Sequence, residues 1–235
     1  MNTTKKTGFR VAVTIAVLGM VLLVGCRSTF QSGSAEPSGF LGDYTKMTPG
    51  EDGQAQLLYI NRQADFQKYD KIMIDPVKCY VASNGSLTTL DKDTRQDLIN
   101  YLDATIREHL KTDYTIVEKA GPDVMRLRVA LTDAKGSKVV LDTISSIVPF
   151  GIAIGAVKKV ATGSNLSVGR VSAECEVVDS VSNVRLIAAV DERVGRKYTG
   201  KFDKFSRWHT AKDAFDYWAL RMQVRLTELR GGSAE

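Results

Sequence analysis

Between Val124 and Thr132 the sequence reads VMRLRVALT, and apolar and charged side chains alternate with a period of two. An extended strand sends successive residues to opposite faces, so Met125, Leu127, Val129 and Leu131 share one face and Arg126 and Arg128 take the other. The pattern returns from Arg170: Val171, Ala173, Cys175 and Val177 point one way, with Ser172, Glu174 and Glu176 opposite. The polar DSVSN at 179–183 then leads to Val184, Leu186, Ala188 and Val190, which predicts a β-hairpin. One side of such a sheet is expected to be wet, and both glutamates fall on it.

Helices are predicted on either side of these strands. Asp93-Thr94-Arg95-Gln96 resembles a capping box, and Leu98, Leu102, Ile106 and Leu110 recur at helical spacing, so 94–111 reads as an amphipathic helix. A second box at Thr210-Ala211-Lys212-Asp213 opens a helix whose inner face carries Ala211, Phe215, Trp218, Met222, Leu226 and Leu229, with Gly231-Gly232 as its stop. YDKIMIDPV, Tyr69 to Val77, is a short strand that Pro76 ends or confines to an edge, and Tyr114 to Val117 is another. The predicted fold is α+β: a two-layer sandwich, with a mainly antiparallel sheet and two amphipathic helices on one face, in a single domain over 39–231.

The amino terminus addresses location. Residues 1–10 carry Lys5, Lys6 and Arg10 with no acid, and Val11 to Val24 is an uncharged run of fourteen residues. That is the pattern of an export signal, shorter than the ~20 residues of a membrane-spanning helix. It ends in Leu23-Val24-Gly25-Cys26, which resembles a bacterial lipobox. The resemblance implies cleavage after residue 25 and acylation of Cys26 on its sulfur and amine, and two or more chains anchor stably where one holds only marginally. Arg27 stands where the inner-membrane retention rule of enteric lipoproteins expects aspartate, which implies an outer-membrane anchor facing the periplasm. Residues 26–38 read as the lipidated cysteine and a flexible Ser/Gly-rich tether. Losing residues 1–25 removes three bases and no acid, so the net charge falls from +5 to +2. The basic whole-chain charge is therefore no evidence for nucleic acid, which is not expected as a partner.

With Cys26 acylated, Cys79 and Cys175 remain. An oxidising periplasm permits a disulfide between them, while their places in strand-like runs favour buried free thiols. No CxxC or Cys/His spacing suggests a metal, and no cofactor is expected.

SGFLGDYTKM at Ser38 to Met47, YDKIMIDPV, DVMRLRVALTDA, ECEVVDSVSNVRLIAAV and AKDAFDYWA resemble a family of bacterial lipoproteins known only as a domain of unknown function. The resemblance covers nearly all the mature chain, SGFLxDY being its most specific piece. It implies a membrane-attached periplasmic domain and brings no catalytic residues. The order of strands and helices is more distantly similar to the amino-terminal domain of TolB and to the curli secretion channel subunit, although topology alone does not transfer function.

Three segments are candidate contacts. Phe40, Leu41, Tyr44 and Met47 form an apolar cluster in a polar arm that either docks on the domain or recognises a partner. The excursion at 139–163 carries Ile147, Phe150, Ile152, Ile154, Lys158 and Lys159, which suit either a buried turn or an apolar finger against membrane or partner. Arg193, Arg196, Lys197, Lys201, Lys204 and Arg207 alternate with aromatics, either as a solvated loop or as a contact for anionic lipid or lipopolysaccharide. Catalytic motifs are missing from the sequence, His109 suits a helix carboxyl end, and Asp75, Glu174, Glu176 and Asp179 are the carboxylates to examine for a pair. The expected function is a non-catalytic binding or envelope-assembly module, held to the membrane through Cys26, with an envelope protein as candidate partner. The alternatives are an oligomeric, channel-like subunit that inserts residues 139–163 and, third, a periplasmic hydrolase.

Overall fold

The alternating stretches form long strands lying side by side at the centre of one sheet. The computed structural model describes residues 29–33, 35–80, 85–136, 169–195 and 208–231. Its strands are β1 (Thr29–Gln31), β2 (Thr48–Pro49), β3 (Leu57–Ile60), β4 (Lys71–Ile74), β5 (Lys78–Cys79), β6 (Thr115–Ile116), β7 (Val124–Lys135), β8 (Arg170–Asp179) and β9 (Arg185–Gly195). Helix α1 (Lys92–Leu110) lies between β5 and β6, and α2 (His209–Gly231) follows β9. Among the described residues the nine strands run β2-β3-β9-β8-β7-β4-β6, with β1 also on β9 and β5 also on β7. Among the described residues the fold is α+β with a mainly antiparallel sheet and two α-helices, as expected. The pairings of β4 with β7, β4 with β6 and β5 with β7 are parallel, and α1 lies in the long crossover that the β4–β7 pair requires.

Leu98, Leu102, Ile106 and Leu110 of α1 are all buried against Met125, Leu127, Val129 and Leu131 of β7, so the two periodicities meet in one core. The start of α1 is two residues earlier than expected. Asp91 caps it, its side chain accepting from Thr94 N at 2.8 Å. The second predicted cap is also displaced. Thr210 is buried inside α2, against the sheet edge, where a Cβ on Gly169 or Gly195 would lie 2.8 or 2.6 Å from its side chain. Glycine at both positions lets the first turn of α2 sit this close.

The hairpin forms as predicted, but a register shift between Val177 and Val178 splits its second strand. Leu186 and Ile187 both reach the helix-side core, whereas Ala188 and Val190 turn to the other face. That face is not wet. Leu41 is buried on Ala188 and Val190, with Phe40, Tyr44 and Met47 around it, so the SGFLGDYTKM arm docks on the sheet. Glu174 and Glu176 are consequently 1% and 2% exposed, which corrects their predicted solvent-facing position.

The tether is also shorter than read from composition. Thr29 pairs with Gly195 and Gln31 with Arg193, and Ser32 N donates to Glu192 O at 2.9 Å. Polar Ser/Gly-rich sequence predicted flexibility, yet a strand needs only a partner edge.

Candidate functional site

Beneath α2 the sheet carries short side chains. Ala173, Cys175 and Ala189 leave room that the helix does not fill, and a cavity of about 140 Å³ opens there. Leu102 and Ile106 of α1 and Val129, Val177 and Ile187 of the sheet supply apolar wall. Trp218, Arg221, Met222 and Arg225 lie three and four residues apart on α2, so one stripe of that helix lines it. This explains why Trp218 and Met222, expected in the core, are only partly buried.

One end of the cavity is polar. Asp191 is buried, and burial pushes its pKa up against the bonds it accepts from Gln31 Nε2 and Trp218 Nε1, both at 2.6 Å, and from Gln56 N at 3.2 Å. Cys175 lines the same space. Burial pushes its thiol up to about 12, with the neighbouring Glu174 charge adding to the effect, so it is a protonated thiol rather than a nucleophile. In the folded protein Cys175 is expected to resist iodoacetamide at pH 8 and to react once urea unfolds the chain. Peptide mass spectrometry checks this, and modification of the folded protein within minutes would overturn the raised thiol pKa.

The possible disulfide between Cys79 and Cys175 is not formed. Both are free thiols. Cys79 pairs with Leu131 and Cys175 with Val129, so β7 runs between them. Two strand spacings of ~4.8 Å put them beyond the ~7 Å that a disulfide can bridge.

The carboxylates examined as a pair are each engaged by internal donors. Asp75 takes a two-pronged contact from Arg126, at 2.9 and 2.8 Å. Glu176 lies between Arg128 and Arg185, the latter at 3.0 Å. Arg185 also donates to the carbonyls of Leu41 and Asp43, at 2.7 and 2.6 Å, and Tyr44 Oη donates to Glu174 at 2.6 Å. These contacts clamp the arm. Asp179 accepts from Tyr69 Oη at 2.8 Å. His109 sits in the last turn of α1 beside Gln223, Nδ1 to Oε1 3.2 Å. Among the described residues no group of three or more His, Cys, Asp and Glu converges, and no helix is long and apolar enough to cross a membrane.

Of the basic candidates, Arg193 is corrected. It is 3% exposed, donates to Thr29 Oγ1 and Thr29 O, both at 2.9 Å, and stacks on Tyr217 at 3.7 Å. Position on a strand face, not charge, decided its environment. Arg196, Lys197, Lys201, Lys204 and Arg207 lie outside the described residues, as do Cys26 and Ile147, Phe150, Ile152, Ile154, Lys158 and Lys159. The cavity itself had no signal in the sequence beyond the small residues at 173, 175 and 189.

A family model described as protein of unknown function (DUF3313) matches residues 36–222. No curated protein matches the sequence. Among solved structures, the chain is similar to a PelC dodecamer from Paraburkholderia phytofirmans at 12% identity and a TM-score of 0.38, over 70% of this chain and 96% of that one. It is similar to a DUF4136 family protein from Bacteroides thetaiotaomicron at 10% and 0.34, over 74% and 95% of the two chains. A provisionally assigned lipoprotein from Caulobacter crescentus matches at 10% and 0.33, over 71% and 94%. TM-scores this low carry no argument about activity or assembly.

Proposed function

We propose, for a chain that belongs to the DUF3313 family of proteins of unknown function, that it is an outer-membrane lipoprotein acylated at Cys26 and that its body is a non-catalytic binding module facing the periplasm. One observation carries the reading: Thr29, three residues beyond Cys26, already pairs with Gly195 at the end of β9. Three residues reach at most ~11 Å. Acyl chains on Cys26 therefore hold this edge of the sheet close to the bilayer.

The same edge collects other chain ends. Lys135 pairs with Arg170, Arg170 with Val194, and Gly195 N donates to Gly169 O at 2.9 Å. Lys135 and Gly169, which flank the apolar excursion in sequence, and Gly195, which precedes the basic-aromatic segment, thus lie at the same end of the strands as Thr29. A binding role, rather than catalysis, is supported by the engagement of Asp75, Glu174, Glu176 and Asp179 with internal donors.

In bacteria fed an alkyne fatty acid, the wild-type protein is expected to take up label and to begin at Cys26, and Cys26→Ala to take up none. An unlabelled wild-type protein, or a mature chain starting elsewhere, would overturn the anchor. The pairing of Lys135 with Arg170, which flank the excursion in sequence, at the same end of the strands as Thr29 also favours a second reading, a self-assembling membrane-inserting subunit. That reading expects in-cell cross-linking to give a closed ladder of self-linked species that disappears when 139–163 are removed. A single link to a foreign protein would count against it.

A further inference from the structure

We infer that the cavity beneath α2 binds a single-chain anionic amphiphile of the fatty-acid type, its tail inside and its head at Arg221 and Arg225. Size comes first. An apolar cavity of about 150 Å³ takes a benzene ring, whereas sites for larger ligands run to roughly 300 Å³ and above. At about 140 Å³, this one admits a slim hydrocarbon group and little else.

Wall and rim differ in a way that matches such a molecule. The wall is Leu102, Ile106, Val129, Val177 and Ile187, while the α2 stripe that closes it interleaves Trp218 and Met222 with Arg221 and Arg225. Arg221 is exposed, with Nε donating to Gly53 O at 3.1 Å. Arg225 Nη1 reaches Glu228 at 3.2 Å, yet its Nε is buried and finds no acceptor among the described residues. The two guanidiniums put positive charge on the stripe that closes the cavity, opposite in sign to a carboxylate head. The acids that line the cavity do not compete for this role: Asp191 is held by Gln31, Trp218 and Gln56, and Glu174 by Tyr44 and by Ser38 N at 2.5 Å. The inference rests on the binding-module reading but not on acylation of Cys26, so the labelling experiment and the one below fail separately.

The test uses the full chain held in an amphipathic polymer and titrated with 6-bromohexanoic acid, whose short chain suits a benzene-sized space and whose bromine quenches a tryptophan that it touches. The protein has two tryptophans, Trp208 and Trp218. Quenching is expected to saturate, to persist in Trp208→Phe and to vanish in Trp218→Phe. The methyl ester, which lacks the charge, and the double variant Arg221→Gln/Arg225→Gln should each bind at least tenfold more weakly. Ala189→Leu, which fills the cavity, should abolish saturable quenching while circular dichroism is unchanged. If Ala189→Leu disturbs the fold, the arginine variant, remote from the sheet, decides alone. Quenching that rises linearly with probe, or saturates identically in the acid, the ester and the arginine variant, would overturn the inference.

Discussion

Phe215→Ala is expected to lower the free energy of unfolding by about 3–5 kcal/mol, the largest single effect in the core. Phe215 is 0% exposed, and its ring centre lies 5.9 Å from that of Trp218 and 6.3 Å from that of Tyr101. It therefore ties α2 to α1 as well as to the sheet. Trp218 also borders the 140 Å³ cavity. Space opened at Phe215 has a neighbour that is already loosely filled, which limits collapse and favours the upper part of the range. Domains of this kind have about 5–15 kcal/mol in total, so the variant approaches the threshold of folding. Urea titration at constant slope measures the loss. Leu220→Ala, on the same helix but 47% exposed, serves as the control and should stay within about 0.5 kcal/mol. A loss below about 1 kcal/mol for Phe215→Ala would mean that α2 does not pack as described.

The second large effect is expected at the hairpin. Asp179 Oδ1 accepts from Val181 N at 3.1 Å, Ser182 N at 2.8 Å and Ser182 Oγ at 2.9 Å, and Oδ2 accepts from Tyr69 Oη at 2.8 Å and Lys68 Nζ at 3.2 Å. Burial by itself raises the pKa of Asp179, but the bonds from Ser182, Tyr69 and Lys68 outweigh it and hold the carboxyl well below its usual range. Asp179→Ala leaves the buried Tyr69 hydroxyl without its acceptor and opens the turn, for a loss of about 2–4 kcal/mol at pH 7.

The sign of the pH dependence follows from the depressed folded-state pKa. The stabilisation is complete above the unfolded-state value of about 3.9 and is lost as pH falls through it toward the folded-state value. The stability gap between wild type and Asp179→Ala is thus expected to be constant from about pH 7 to pH 5 and to shrink below about pH 4. Chemical denaturation at each pH reads it out, and a gap equal at pH 3 and pH 7 would refute the ionised, multiply bonded carboxylate.

Legibility in the sequence followed the range of the interaction. The faces of β7 were readable because Met125, Leu127, Val129 and Leu131 stand two apart, and the inner face of α1 because Leu98, Leu102, Ile106 and Leu110 stand four apart. β1, β2 and β3 were missed. Strands this short show no period, and the equally short β4 and β6 were read from their apolar composition instead. Glu174 and Glu176 were placed on the correct side of β8, but that side is covered by the arm. Alternation reports which way a side chain points and nothing about what lies there. Arg193 was grouped with a basic segment by proximity in sequence, although its strand ends at Gly195 and the rest of the segment lies beyond it.

By itself, the sequence determined the local periodicities that select strand or helix, the apolar cluster available in the SGFLGDYTKM arm, and the resemblance to a lipobox at Cys26. Each is a property of one short stretch, because backbone geometry repeats every two or 3.6 residues whatever the surroundings. Only the tertiary structure decided the parallel pairing of β4 with β7, the ion pairs that bury Glu176 beneath the arm, the cavity left by Ala173, Cys175 and Ala189, and the gathering of Thr29, Gly169 and Gly195 at one edge. These depend on which distant segment lies opposite, and that is set by the closure of the whole sheet and its packing against two helices.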